Sequence, residues 1–254
     1  MTIALFSDIH ANLPALDAMF DDMQKHQIDS MYCLGDLVGY NCWPNEVIEL
    51  IRSKNIATIA GNYDYGIGRT SDDCGCAYKT EEEKANGKIS IAYTNKAVSR
   101  SSRQYLRCLP MQIQIELHLA TKINLLLVHG SPRKINEYLF EDRDEKSMLR
   151  IMQHAQADIM CFGHTHKPYH KVLIDESGKK FYHAINTGSV GKPKDGNPKG
   201  CYVLISFNEN SGTQDASSVD VKFERFNYDT ERAAAAIENS ELPNTYAISL
   251  RTGF

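Results

Sequence analysis

The chain has 254 residues, 42% of them apolar and 24% charged, with 32 acidic side chains against 28 basic ones and a net charge of −4. That balance belongs to a soluble globular protein large enough to bury a substantial core, and it excludes disordered, fibrous and membrane-spanning classes. Mild acidity also argues against nucleic acid as a main partner, because a phosphate backbone is normally met by a basic face, while small phosphorylated substrates stay open.

The first residues run directly into Ile3, Ala4, Leu5 and Phe6 and then Asp8, without the basic segment, long apolar region and cleavage site of a secretory leader. The best apolar window, 123–128, is interrupted by Asn124 and falls far short of the roughly 20 residues of a spanning helix. Seven cysteines, at 33, 42, 74, 76, 108, 161 and 201, form no paired framework. Reduced thiols in a cytoplasmic protein are the expectation. Cys74-Gly75-Cys76 lacks the second pair of a structural zinc site and reads as two loop thiols.

In chain order, short apolar runs alternate with amphipathic stretches. Strands are expected at 3–6, 30–34 and 57–60, with helices at 13–23 and 46–51 between them. Leu13, Leu16, Met19, Phe20 and Met23 recur at helical spacing and make a face that packs on a sheet, and Pro14 sits where a helix start tolerates it. Parallel strands with helical crossovers follow, their C-terminal ends at one edge. Residues 65–107 change character and read as an inserted loop with a helix around 88–98. Alternation at 112–117 and the apolar run at 123–128 give two more strands, and further strands are expected at 157–162, 171–174, 180–185, 202–207 and 219–226, the later ones antiparallel. The tail from 229 adds one helix and ends loosely. The sum is an α/β fold, two facing sheets with helices outside, in a single domain over 1–254.

Five of these strands end directly on His, Asp or Asn, usually beside glycine: Asp8 and His10, Asp36 after Gly35, Asn62 after Gly61, His129 before Gly130, and His164 and His166 after Gly163. Each alone has an ordinary structural explanation. Together, at the strand ends of an open sheet, they converge in space. Asp8 and His10, like His164 and His166, are spaced by two, which puts both side chains on one side of an extended segment. Four histidines, two aspartates and an asparagine suit manganese, iron, zinc or similar ions. Seven ligands with a shared carboxylate serve two divalent ions better than one, and paired ions 3.5–4 Å apart clamp a phosphoryl group and acidify bound water. Phosphate ester hydrolysis is the leading chemistry.

In this order Asp8-x-His10, Gly35-Asp36-x-x-Gly39, Gly61-Asn62-x-Asp64, Val128-His129-Gly130 and Gly163-His164-Thr165-His166 resemble the signature of the calcineurin-like metallophosphoesterases, and Asn186-Thr187-Gly188-Ser189-Val190 resembles that family's later Asn-Pro-Gly-Ser segment with Thr in place of Pro. The resemblance implies a four-layer α/β/β/α sandwich of two mixed sheets. It places Asp8, His10 and His166 on one ion, Asn62, His129 and His164 on the other, and Asp36 between them, with a metal-bound hydroxide as nucleophile. The stretches 8–16 and 36–47 look like the small prokaryotic branch, which includes phosphodiesterases and relatives of diadenosine tetraphosphatase.

Many members of that family carry His where this chain has Tyr63. A phenol is the weaker acid but still donates a hydrogen bond, so Tyr63 is the catalytic candidate for leaving groups of low pKa. Asp64 is expected to orient a metal ligand from behind. Asn12 and Arg133, close in sequence to proposed ligands, are candidates for phosphate contacts, the latter through its bidentate fork. Tyr40 and Tyr138 are candidates to line an aryl or nucleobase pocket. His170 and His183 read as structural. The expected function is a metal-dependent phosphodiesterase or phosphatase on small molecules or nucleotides. A phosphoprotein phosphatase and a silent protein-binding module on the same scaffold are the alternatives, and a homo-oligomer is compatible with the sequence.

Overall fold

A computed structural model describes residues 1–254. The order of elements is β1 (Thr2–Phe6), α1 (Leu13–Met23), β2 (Ser30–Cys33), α2 (Pro44–Ser53), β3 (Ala57–Thr58), α3 (Asn62–Gly68), α4 (Glu81–Ala97), α5 (Arg100–Cys108), β4 (Gln112–His118) and β5 (Lys122–Val128). Then come α6 (Glu145–His154), β6 (Ile159–Phe162), β7 (Tyr169–Ile174), β8 (Phe181–Asn186), β9 (Gly200–Ser206), β10 (Asp220–Phe226), α7 (Thr230–Glu238) and α8 (Asn244–Thr252). Ten strands form two five-stranded sheets, ordered β10-β9-β1-β2-β3 and β4-β5-β6-β8-β7. Both are mixed: β1, β2 and β3 run parallel while β9 and β10 are antiparallel, and β5, β6 and β8 run parallel between antiparallel β4 and β7.

The period-two alternation of the central strands builds the layers. Ile3 and Leu5 of β1, Leu125 and Leu127 of β5, and Ile159 and Cys161 of β6 meet in the core between the sheets. Their neighbours Ala4 and Phe6 face the other way, onto Leu16 and Met19 of α1 and Val47 and Ile51 of α2. On the far side Leu126, Val128, Met160 and Phe162 pack against Met148, Ile151 and Met152 of α6. The result is the expected α/β/β/α sandwich, with the C-terminal ends of β1, β2, β3, β5 and β6 feeding five loops at one edge.

Several local expectations are corrected. β3 stops at Thr58: Ile59 N–H makes the last bond of the ladder, to Cys33 O of β2, and the next amide, Ala60 N–H, turns away to Pro110 O. The 65–107 region holds most of α3 and two further helices rather than one. The tail forms two helices, and Ala233, Ile237, Ala247 and Leu250 bury themselves in a core of their own, so the C-terminus is anchored. α6 had no counterpart in the sequence reading.

Candidate metal centre

The loops that carry the polar groups are tightly turned. Seven of the ten non-glycine residues with positive φ lie in them: Asp8, His10, Ala11, Asp36, Tyr40, His164 and His166. Left-handed backbone costs an L-residue energy and concentrates at functional sites. The turns stay in place because the loops after β1 and β2 continue the ladder of their strands, with Asp8 N–H donating to Gly35 O (2.9 Å), His10 N–H to Asp36 O (2.9 Å) and Ala11 N–H to Leu37 O (2.7 Å). Glycine permits the closest approach. A Cβ on Gly61 would stand 2.2 Å from Asp36 N, and one on Gly163 would stand 2.4 Å from Asp8 Oδ2.

The side chains form two adjoining groups, Asp8 with His10 and His166, and Asp36 with His129 and His164, in each of which the ligand atoms all lie within 4.8 Å of one another. All six residues are 3% exposed or less. Asp8 Oδ1 is 3.6 Å from His10 Nε2 and 3.2 Å from His166 Nε2, and the two Nε2 atoms are 3.3 Å apart. Asp36 Oδ2 stands between the groups, 3.5 Å from His10 Nε2 and 3.4 Å from His129 Nε2. Asn62 Oδ1 is 3.0 Å from His129 Nε2 and joins the second group. Ligands about 2.1 Å from one ion are themselves roughly 3.0–3.4 Å apart in octahedral or tetrahedral geometry, so these separations match coordination shells.

Hydrogen bonds settle which atoms face inward. Carbonyl oxygens only accept, so the imidazoles of His10, His129 and His166 carry their protons on Nδ1, which donates to Val38 O (2.9 Å), Leu34 O (2.8 Å) and Lys192 O respectively. Their Nε2 lone pairs are left pointing at the carboxylates. Each carboxylate is likewise divided. Asp8 Oδ2 accepts from Ser7 Oγ (2.5 Å) and His164 N (3.1 Å), and Asp36 Oδ1 accepts from Tyr63 N (2.9 Å), while Asp8 Oδ1 and His164 Nε2 have no hydrogen-bond partner. Lone pairs converging in a buried space require positive charge among them.

Titration behaviour follows the same need. Burial alone would lower His129, but the Asp36 carboxylate more than offsets it and takes the group up to about 10. A proton on His129 then occupies the place a cation would take. Burial pushes His164 and His166 down to about 3, leaving both neutral and able to ligate. Burial opposes the charge on Asp8, yet His166 and the other imidazoles hold its carboxyl well below the usual range.

The remaining expected site residues divide. Tyr63 is fully buried, its ring edge-on to His10 (5.5 Å between centroids) and against Tyr40 (4.8 Å), and its hydroxyl has no partner. Asp64 makes its hydrogen bonds to backbone amides and not to a ligand side chain. It accepts from Leu37 N (2.9 Å) and Gly61 N (3.0 Å), capping α3 and tying the Asp36 loop to the Asn62 loop, and burial together with the Asp36 charge raises it to about 7. Asn12 is corrected to a structural residue: fully buried, it caps α1 by accepting from Ala15 N (3.2 Å) and donates to Gly191 O (2.9 Å). Arg133 is also corrected. It is exposed, its fork is filled by Glu137 (Nε to Oε2, 3.0 Å), and it borders a groove with Gln114 and Arg150 that contains none of the seven ligand candidates.

Other residues matter more than the sequence suggested. Cys74 O accepts from Asn62 Nδ2 (2.8 Å) and Cys76 Sγ lies 3.5 Å from the same nitrogen, so this loop turns Asn62 Oδ1 inward. The Asn186–Val190 segment clamps the site from behind, with Ser189 Oγ donating to Asp8 O (2.7 Å) and Asn186 Nδ2 to Gly163 O (2.8 Å). Tyr40 and Tyr138 do border the centre, their rings 4.8 Å from His10 and 4.1 Å from His164. Lys192 and Lys194 were not anticipated, because a Gly-Lys-Pro-Lys-Asp-Gly stretch reads as surface loop; the chain brings them beside His166.

Comparison with known proteins gives three results. The sequence model of the "Calcineurin-like phosphoesterase superfamily domain" matches residues 1–210. An uncharacterized protein of Methanocaldococcus jannaschii is 33% identical over 256 residues, covering 95% of this chain and 93% of its own. Among solved structures, a metallophosphoesterase from Sphaerobacter thermophilus superposes with a TM-score of 0.73 at 26% identity over 100% of this chain and 99% of its own. A hypothetical protein from Pyrococcus horikoshii superposes with a TM-score of 0.79 at 23% identity over 100% and 98%, a likeness of fold.

Proposed function

The chain belongs to the calcineurin-like phosphoesterase superfamily, and on that premise we propose that it hydrolyses phosphate esters of small molecules or nucleotides with two divalent ions, one on Asp8, His10 and His166, the other on Asn62, His129 and His164, and Asp36 shared. The observation that carries the reading is the convergence of inward lone pairs, with three imidazole tautomers fixed by carbonyls and one oxygen of each aspartate left toward the centre.

When bound, such ions polarise phosphoryl oxygens and lower the pKa of coordinated water toward neutrality. The protein's own groups do the rest. Asp36 Oδ2, near both His10 and His129, holds the two groups at one spacing. Ser7, His164 N and Tyr63 N grip the outer carboxylate oxygens, so that the inner ones need little reorganisation. Burial raises Tyr63 well above the ordinary phenol range, so its hydroxyl stays protonated and serves as a hydrogen-bond donor rather than a proton source. Esters with leaving groups of low pKa need the acid least and are the favoured substrates.

The test is a substrate panel, with manganese, iron or zinc added back to chelated protein: bis(p-nitrophenyl) phosphate, p-nitrophenyl phosphate, dinucleoside polyphosphates and a phosphoserine peptide. Metal-restored cleavage of the small esters with about two ions bound per chain is expected. Protein that binds no such ion and cleaves none of them sinks the reading, and cleavage of the peptide alone moves it to phosphoproteins.

A further inference from the structure

A cavity of about 750 Å³ opens beside the two groups, bordered by Tyr40, Tyr138 and Thr165 on the metal side and by Tyr246 and Ser249 of α8 on the other. Its size is that of a pocket for a nucleotide rather than a bare phosphate. Its charge is unusual for an acidic protein. Lys79, Lys167, Lys192 and Lys194 line it, and none of the four has an ion-pair partner. Of its two carboxylates, Glu83 is engaged by Lys79 N (2.7 Å). Lys192 is 6% exposed, donates to Ser249 Oγ (3.0 Å) and stands 5.0 Å from the Tyr40 ring centroid and 5.2 Å from that of Tyr246. Holding a lysine out of water without a carboxylate costs energy that a ligand anion would recover. Aromatic faces occupy the same walls, with Tyr138 stacked on Phe140 at 5.6 Å.

We propose that this cavity binds the alcohol half of a phosphodiester, namely a nucleoside whose base lies against the tyrosines and whose second phosphate is read by Lys194 and Lys192. The inference rests on the phosphoesterase reading above and takes a diester as its substrate. A count of charge separates the second phosphate from the scissile one. Two divalent ions would bring four positive charges against the two of Asp8 and Asp36 and the one of a hydroxide, and the charge left over already matches the single charge of a diester. The lysines that line the cavity serve an anion the metal centre does not hold. Lys194 is the selective group, since its ammonium has no partner at all, while Lys192 is tethered to α8 and couples that helix to the bound ligand.

Binding to the metal-free protein tests this without requiring turnover. Calorimetry should show thymidine 3′,5′-bisphosphate binding at least tenfold tighter than thymidine 5′-monophosphate, a difference of about 1.4 kcal/mol. Lys194→Gln should reduce the ratio to near one and Lys194→Arg should retain most of it. With ions restored, kcat/KM for the p-nitrophenyl ester of thymidine 5′-phosphate should rise about tenfold when a 3′-phosphate is added, and Lys194→Gln should remove that gain. Equal affinity of the wild type for the two nucleotides overturns the proposal, as does a ratio that survives in both Lys194→Gln and Lys192→Gln. Discrimination in binding with no hydrolysis of either ester supports the subsite and refutes the phosphoesterase reading instead.

Discussion

Replacing Tyr63 by Phe separates what this residue does for stability from what it does for chemistry. Its ring is locked: a Cβ on Gly39 would lie 2.4 Å from Tyr63 Cδ1, and the Tyr40 and His10 rings close the other sides. A phenyl ring therefore keeps the same seat. The hydroxyl, in contrast, is buried without a partner, and an unsatisfied buried polar group costs about 1–3 kcal/mol. Removing it should raise stability by about 1 kcal/mol, or roughly 2–4 °C in Tm for a chain of this size. If the hydroxyl donates to a leaving oxygen, a neutral hydrogen bond is worth about 0.5–1.5 kcal/mol, which limits the fall in turnover to about tenfold. Asp36→Asn removes the charge between the two groups and should lower turnover by more than about 10²-fold. Scanning calorimetry and turnover of bis(p-nitrophenyl) phosphate on both variants decide the matter. Equal losses of turnover, or a Tm lowered by the Phe variant, refute the reasoning.

Gly163→Ala puts a methyl 2.3 Å from Ser7 Oγ and 2.4 Å from Asp8 Oδ2, so Asp8 must move by about 1 Å; such a displacement costs about 10²-fold in rate, read as lost ion stoichiometry by elemental analysis together with lost turnover. Adding ions to chelated protein should stabilise it by about 4 kcal/mol at a thousandfold excess over Kd, because cations replace the opposed lone pairs of His10, His166 and Asp8; a Tm indifferent to manganese, iron and zinc contradicts the coordination reading. His183 is hydrogen-bonded to His170 (2.9 Å), and burial lowers it to about 4. The unfolded state takes up its proton near pH 6.5 and the folded state only near 4, so this stability is full above pH 6.5 and is lost as pH falls through that window, by up to about 3 kcal/mol. His183→Gln should flatten the acid branch of the urea midpoint between pH 7 and 4.5, and an unchanged branch would show that the pair does not carry it.

The centre was legible because its donors end apolar strands, where a sheet alternating with helices must gather them, and chain order and spacing then sorted them. The elements that failed were those whose structure depends on tertiary partners. The strand at 57–60 was cut to two residues because Ala60 N–H turns to the carbonyl of distant Pro110 instead of to β2. The tail was expected to hold one helix and to end loosely, because the apolar face of its last residues finds partners only through tertiary contact, with α7 and with side chains such as Trp43 and Tyr93. Proximity in sequence misled for Asn12 and Arg133: the first is consumed by its own helix cap and the second by a carboxylate four residues on. Lys192 and Lys194 carried no local signal, since the Asn186–Val190 segment that brings them to the site acts through Ser7 and Asp8, about 180 residues away.

Left-handed backbone at five of the seven ligand candidates, Asp8, His10, Asp36, His164 and His166, adds a constraint that composition could not show. At about 1 kcal/mol or more apiece, the turns together cost on the order of 5 kcal/mol, comparable with the whole net stability of many domains. They persist because the loops bond to one another. Asp8 and His10 hang from the β2 loop, Asp64 joins that loop to α3, and Asp8 Oδ2 receives His164 N from the opposite sheet. The two sheets are therefore stitched at the same point where their donors meet, and a change in any one loop moves ligands of both groups. Cation binding and sheet packing are thus coupled, and the region most costly to form is the one an ion stabilises most.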